Sequence, residues 1–143
     1  MTNRNKTVAT WLILVGGVFG LHRFYLRGVT DVLGWLLPVP TLLGLYGIFR
    51  ARNLGLDDRL SWALIPLRGF VFAACALNAI VYGLTEQKRW NQWFNPGLPP
   101  GSALGETNWL TIGAVFLAML TGTTALIAAI AFGMQRIFEW QAG

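Results

Sequence analysis

The chain has 143 residues, of which 55% are hydrophobic and only 12% are charged. Soluble domains carry about 25% charged residues, so this composition argues against a soluble enzyme or a nucleic-acid-binding module. The net charge of +5 arises because acidic residues are scarce, and the basic residues stand at the ends of apolar runs rather than in one patch. We therefore expect no nucleic-acid partner and expect the lipid bilayer, including its anionic lipids, as the surroundings of the chain.

Charged residues divide the chain into four apolar runs, at residues 7–21, 32–49, 69–85 and 107–135. A helix needs about 20 apolar residues to cross the hydrocarbon layer. The first run is short, but the apolar residues that follow it can lengthen it. The sequence therefore predicts an all-α integral membrane protein with four transmembrane helices, in which an N-terminal helical hairpin is followed by two further spans.

Three units follow from these runs: a hairpin at 7–49, a cytoplasmic or interfacial connector at 50–68, and a C-terminal pair of spans at 69–143. The C-terminal pair contains a loop rich in proline and glycine at 86–106. Prolines 38 and 40 are expected to kink the second span. The first run also resembles the apolar core of a signal peptide, but no clear cleavage site follows, and we expect it to remain as an anchor.

The aromatic and basic residues predict a topology. Each tryptophan stands near an end of an apolar run, where an indole prefers to lie at the membrane interface. With four spans, seven basic residues share the side of the two termini and four lie on the other side. Since Lys and Arg are enriched in cytoplasmic loops, both termini are predicted to be cytoplasmic. The membrane predicted is a plasma membrane, the inner membrane of a bacterium.

Small residues recur every four positions in the runs. Gly16 and Gly20 form one such pair, and Ala118 and Gly122 form another. Small side chains let helix backbones approach closely, so these positions are candidates for helix packing, within one chain or between copies. Asn78 stands at the centre of the third run and is a further packing candidate, through a hydrogen bond to a threonine of the fourth run.

The string that joins the first two runs combines cations, a histidine and aromatic residues at the expected interface. Arg23 and Arg27 are one helical turn apart and could bind a lipid phosphate or an acidic group of a partner. Phe24 and Tyr25 could anchor the turn in the interface, and His22 could respond to pH. These five residues are the candidate site for lipid or partner binding. The alternative is a structural turn whose charges only keep the spans in place.

The same string resembles a known family. Gly17, Gly20 and the sequence His-Arg-Phe-Tyr-Leu at 22–26 resemble the motif of the two-transmembrane (TM-two) domain family. The resemblance covers about one third of the chain and implies a helical hairpin in the membrane, without catalytic residues. The chain departs from the family pattern where Arg27 precedes Gly28, where Phe49-Arg50 ends the second run, and at the two prolines.

An enzyme is not expected. The single histidine and the single cysteine, Cys75, argue against a metal centre, a cofactor site and an internal disulfide. We expect a structural or accessory subunit, or an adaptor that engages lipid or a membrane-protein partner through the turn at 22–27. The alternative is a small homo-oligomeric channel or transporter with a polar centre at Asn78, Thr121 and Thr124, although no run contains a carboxylate near its middle.

Overall fold

The computed structural model describes residues 3–143, and these form helices and turns without a strand. The α-helices of this part of the chain are α1 (Lys6–Gly16), α2 (Leu21–Arg27), α3 (Val32–Leu36), α4 (Pro38–Leu54), α5 (Arg59–Gly83), α6 (Gln87–Phe94) and α7 (Trp109–Ala142). Short 3-10 turns lie at Gly17–Phe19 and Ala103–Gly105. The predicted all-helical class is therefore confirmed for the described residues.

Three helical stretches are long and apolar enough to cross a membrane. They are Val32–Leu54, which combines α3 and α4, then Arg59–Gly83, and Ala103–Ala142, which contains α7. Helix α1 has 11 residues, or roughly 16 Å at the usual rise per residue, against a hydrocarbon layer of about 30 Å. The structure is therefore compatible with an integral membrane protein, but the predicted count of four spans is not confirmed.

The starts of four helices are fixed by side-chain caps. In each case an Asn or Asp before the helix accepts the backbone N–H of the residue three positions later, which satisfies one of the free donors of the first turn. The capping residues are Asn5, Asp31, Asp58 and Asn108. The helix that we predicted as the second span is interrupted at Leu37, between α3 and α4. The prolines predict this interruption, because Pro38 and Pro40 have no N–H to donate.

Helix α5 is the centre of the bundle and runs antiparallel to α4 and α7. A Cβ placed on Gly44 of α4 would lie 2.6 Å from the Cβ of Arg68, and one on Gly122 of α7 would lie 2.5 Å from that of Ala76. At the N-terminal end of α5, the guanidinium of Arg59 lies 5.5 Å from the ring of Trp140. We call the end of the bundle near Trp140 the loop end, because the α4–α5 loop at 55–58 lies there. The opposite end of the bundle is called the α6 end.

Helices α1 and α2 form a hairpin that enters the bundle from the α6 end and turns back halfway. A Cβ on Gly17 would lie 3.1 Å from the Cβ of Cys75, near the middle of α5. Gly20 then adopts a left-handed conformation, with φ of 78°, and reverses the chain. The structure thus contains a hairpin within residues 6–27, in which Gly20 reverses the chain, and the predicted antiparallel hairpin of two spans at 7–49 is not confirmed.

The half-depth hairpin places the described ends of the chain at opposite ends of the bundle. Arg4 lies at the α6 end, where its carbonyl accepts the indole N–H of Trp90, whereas Trp140 lies at the loop end. Of the 11 basic residues, the α6 end has Arg4, Lys6, Arg23, Arg27, Lys88 and Arg89, and the other five belong to the half of the bundle toward the loop end. We predicted two cytoplasmic termini from an excess of basic residues on one side of the membrane. That excess is absent from this arrangement.

Two predicted loop regions contain helix. Residues 50–54 and 59–68, which we assigned to a connector, belong to α4 and α5, so only residues 55–58 form the loop. Likewise α6 occupies the first half of the loop predicted at 86–106. Helix α6 is short and amphipathic, with Trp90 and Asn91 buried and Lys88, Arg89 and Trp93 exposed.

Candidate functional site

The basic and aromatic string at 22–27 lies in α2, and most of its side chains pack against other residues of the chain. Only 2% of His22 is exposed, and its Nδ1 has no hydrogen-bond partner among residues 3–143. The ring of Phe24 lies 5.1 Å from that of Trp35 and fills the space beside Gly34. These two side chains are therefore internal parts of the hairpin rather than groups offered to a ligand.

The two cations of the string differ in their surroundings. The Arg23 guanidinium pairs with the carboxylate of Asp31, which also caps α3. This ion pair lowers the pKa of Asp31 below its usual value. Arg27, at the end of α2, is exposed and forms no ion pair within the described chain, and its charge adds only the smallest contribution to the lowered pKa of Asp31. Of the five predicted site residues, Arg27 is thus the one whose charge remains available to another molecule.

Tyr25 and the residues before α1 belong to a polar cap at the α6 end. The hydroxyl of Tyr25 accepts the N–H of Asn5 at 2.9 Å, and the Arg4 guanidinium lies 5.1 Å from the Tyr25 ring. The Asn95 side chain donates to the carbonyl of Arg4, as does Trp90, which is fully buried. The cap therefore fixes the start of α1 against α2 and α6.

Lys6 is the least expected member of this cap, because its side chain is fully buried. Its Nζ donates to the carbonyl of Thr85 at 2.7 Å and to the hydroxyl of Thr107. Burial lowers the pKa of Lys6, and the nearby carboxylate of Glu106 opposes this effect. The sequence marked Lys6 only as a flank of the first run, since a charge beside an apolar run is usually solvated.

A groove opens beside Arg27 at the α6 end. It has a volume of about 560 Å³. Its lining residues come from three helices and are Leu26, Arg27, Val81, Tyr82, Trp93 and Phe94. Trp93 is 54% exposed, so it borders the groove with its indole accessible. A cation flanked by exposed aromatic rings at a membrane interface can bind an acidic side chain or a lipid phosphate.

Asn78 lies on the same face of α5 as this groove, one turn deeper than Val81 and Tyr82. It is exposed, and its amide meets no hydrogen-bond partner in residues 3–143. The expected hydrogen bond to a threonine of α7 is not formed. Thr121 and Thr124 are exposed on α7, and each donates to the carbonyl four residues earlier in its own helix. The three residues therefore do not converge into a polar centre within one chain.

The predicted packing glycines contact neighbours in the same chain. A Cβ on Gly16 would strike Leu21 across the hairpin, and one on Gly20 would strike the carbonyl of Gly34. Ala118 is fully buried between α5 and α7, one turn from Gly122. Within the part of the chain that the structure describes, no group of three or more His, Cys, Asp or Glu residues could hold a metal ion.

Comparison of the chain with protein-family models, with characterised proteins and with solved structures finds no match. The resemblance to the TM-two domain family stays a prediction based on the motif at 17–26.

Proposed function

We propose that this protein is a non-enzymatic accessory subunit of a membrane complex, which binds a helix of another membrane protein along the face of α5 that carries Asn78. The proposal refines the adaptor expected from the sequence. The sequence suggested the whole string at 22–27 as the contact surface. The surface proposed here is a strip that includes Arg27, the groove beside it and Asn78.

The exposed amide of Asn78 is the observation that carries this proposal. Asn78 precedes Thr85 by seven residues, roughly 10 Å along the helix axis, so it lies well inside the apolar part of α5. An amide that faces hydrocarbon leaves its donors and acceptor unsatisfied, and helices in membranes associate to pair such groups. A partner helix with a hydroxyl or amide at this depth would satisfy Asn78.

Arg27 adds a second contact of different chemistry. Its exposed guanidinium stands at the interface above the apolar strip, with Trp93 beside it. A charge-assisted hydrogen bond to a carboxylate of the partner is stronger than one between neutral groups. We therefore expect a partner helix that has a polar residue inside the membrane and an acidic residue near its end.

The test is quantitative affinity purification of the full chain from its native membrane after gentle extraction. Asn78→Leu and Arg27→Ala should each reduce the amount of the stoichiometric partner, whereas Thr124→Val should not. Thr124 is the matched control because it is also an exposed polar residue of a span, but its hydroxyl already bonds to its own helix. Circular dichroism of each variant should match the wild type.

Three results would contradict the proposal. One is an unchanged partner yield in the Asn78→Leu and Arg27→Ala variants. Another is recovery of a homo-oligomer alone, which would make a second copy the occupant of this face. The third is a solute flux in reconstituted vesicles that Asn78→Leu abolishes, which would favour the homo-oligomeric channel.

A further inference from the structure

A second cavity lies under the tip of the hairpin, in the half of the bundle toward the loop end. Its volume of about 660 Å³ is within the usual range of roughly 300–1,000 Å³ for ligand pockets. The hairpin tip, α4, α5 and α7 all contribute to its walls, through residues that include Phe19, Thr41, Phe72, Ala128 and Phe132. Small residues of α7 create the space, and the rings of phenylalanines border it.

Arg68 is the one charged side chain that lines this cavity, and apart from Thr41 the other lining residues are apolar. Arg68 is the tenth residue of α5 and lies six residues, roughly 9 Å, deeper than Trp62. Arg68 is exposed, and within residues 3–143 its guanidinium forms no hydrogen bond and no ion pair. Two other arginines of this half form ion pairs, Arg50 with Asp58 and Arg136 with Glu139.

A cation inside a membrane span needs a negative partner or water, because hydrocarbon solvates neither its charge nor its donors. The long side chain of an arginine can extend toward the interface while its methylene groups stay in apolar surroundings. Its planar guanidinium can hold a phosphate with two parallel hydrogen bonds. The occupant that fits is therefore an amphiphile, with an anionic phosphate at Arg68 and a hydrocarbon chain in the cavity.

We propose that this cavity binds one anionic phospholipid of the membrane, with the phosphate on Arg68 and an acyl chain between the hairpin tip and α7. The site lies on a different face of α5 from Asn78 and is independent of the partner face. It makes the lipid a structural component that fills the space where α1 ends short of the loop end.

The test uses the full-length protein exchanged into mixed micelles that contain phosphatidylglycerol and phosphatidylcholine with the same acyl chains. Native mass spectrometry should show one retained phosphatidylglycerol on the wild type. Arg68→Gln should weaken the retention of phosphatidylglycerol roughly tenfold, since the loss of a hydrogen bond to a charged group lowers an affinity by at least that factor. Ala128→Leu should also reduce retention, because its larger side chain fills the cavity.

Matched controls separate this site from general effects of charge and size. Arg52→Gln removes an exposed arginine of α4 that does not line the cavity, and Ala131→Leu enlarges an exposed alanine of α7 outside it. Both should retain the lipid as the wild type does. Arg68→Lys should retain part of it, since a lysine keeps the charge but not the paired hydrogen bonds.

Three outcomes would overturn the proposal. Equal retention of phosphatidylcholine and phosphatidylglycerol would show that the site does not select an anionic lipid. Undiminished retention in Arg68→Gln would place the lipid elsewhere, and an equal loss in Arg52→Gln would show a diffuse attraction to the arginines of the loop end. If Arg68→Gln does not fold, the comparison of Ala128→Leu with Ala131→Leu decides whether the cavity holds the lipid.

Discussion

The phenol oxygen of Tyr25 accepts the backbone N–H of Asn5 at 2.9 Å, so the last turn of α2 lies beside the residue that caps α1. Both ends of this hairpin are therefore at the α6 end of the bundle. Its tip reaches the depth of Thr41, whose hydroxyl donates to the carbonyl of Val18 at 3.0 Å. The hairpin enters and leaves from the same end, so α1 and α2 together do not carry the chain from one end of the bundle to the other.

This arrangement predicts that residues 3 and 141 face opposite compartments. In a Cys75→Ala background, single cysteines replace Asn3, Gly97, Leu56 and Gln141. In sealed vesicles of one orientation, an impermeant maleimide should label positions 3 and 97 from one side and positions 56 and 141 from the other. Labelling of positions 3 and 141 from the same side would restore the four-span topology.

Gly20→Ala should destabilise the hairpin strongly. A residue with a side chain at this left-handed position is strained by about 1–3 kcal/mol, and its Cβ would also strike the carbonyl of Gly34. Gly97→Ala is the control, because no atom lies within 4 Å of its added Cβ and its φ is not positive. Thermal unfolding in detergent should show a larger loss for Gly20→Ala. Equal losses would mean that neither the strain at Gly20 nor its contact with Gly34 matters.

Gly122→Val should weaken the packing of α7 on α5. The nearest atom to a Cβ at Gly122 is the Cβ of Ala76, and overpacking of a close contact between helices costs about 1–3 kcal/mol. Gly133→Val changes a glycine of the same helix that has open space around it, so it should leave the melting temperature close to that of the wild type. A comparable decrease for both variants would show that the contact with Ala76 is not the cause.

Asp58 should stabilise the loop end in a way that depends on pH. Hydrogen bonds from Arg50 and Ser61 lower the pKa of Asp58, so folding favours its charged form. The stabilisation is complete above the ordinary carboxyl pKa of 3.8 and is lost as the pH falls through the lowered value of the folded protein.

Asp58→Asn should therefore lower the melting temperature at neutral pH and flatten its dependence on acid, because an asparagine keeps the cap of α5 but not the charge. Asp57→Asn is the control, since Asp57 is the neighbouring exposed acid. Melting curves measured from neutral pH into the acid range give both quantities. Identical acid profiles for the two variants would show that the Arg50 pair does not stabilise the loop end.

Lys6 predicts a second pH dependence of the stability, at alkaline pH. Its pKa in the folded protein lies below the ordinary value of 10.5, so the unfolded chain binds more protons between the two values. Stability should consequently increase as the pH rises through this interval. Lys6→Met should abolish the increase, whereas Lys88→Met, which removes the exposed second lysine, should preserve it. An increase that survives in Lys6→Met would assign the effect to another group.

The sequence was a good guide to the helices and a poor one to their depth. The apolar runs predicted an all-helical chain with four spans, and three of these runs lie in helical stretches long enough to cross a membrane, because hydrophobic length is a local property. The half-depth turn was not predictable in this way. Gly16, Gly17 and Gly20 are equally suited to helix packing, and only the contact of Gly20 with Gly34 shows that the chain reverses there.

The same difference applies to the candidate site. The string at 22–27 attracted attention because cations and aromatic residues are adjacent in sequence, but three-dimensional packing decides which of them are available. Arg23 meets Asp31, which is eight residues away, whereas Arg27 has no such partner in the described chain. Arg68 was read as the boundary of an apolar run, since a sequence does not show that a helix continues through a charge.

The polar cap also determines the order in which the molecule can be assembled. Its contacts join residues that are far apart in the chain: Lys6 to Thr85 and Thr107, and Arg4 to Trp90 and Asn95. A ribosome produces the hairpin before these anchoring residues. The hairpin therefore reaches its final position only after the chain has been synthesised through Thr107.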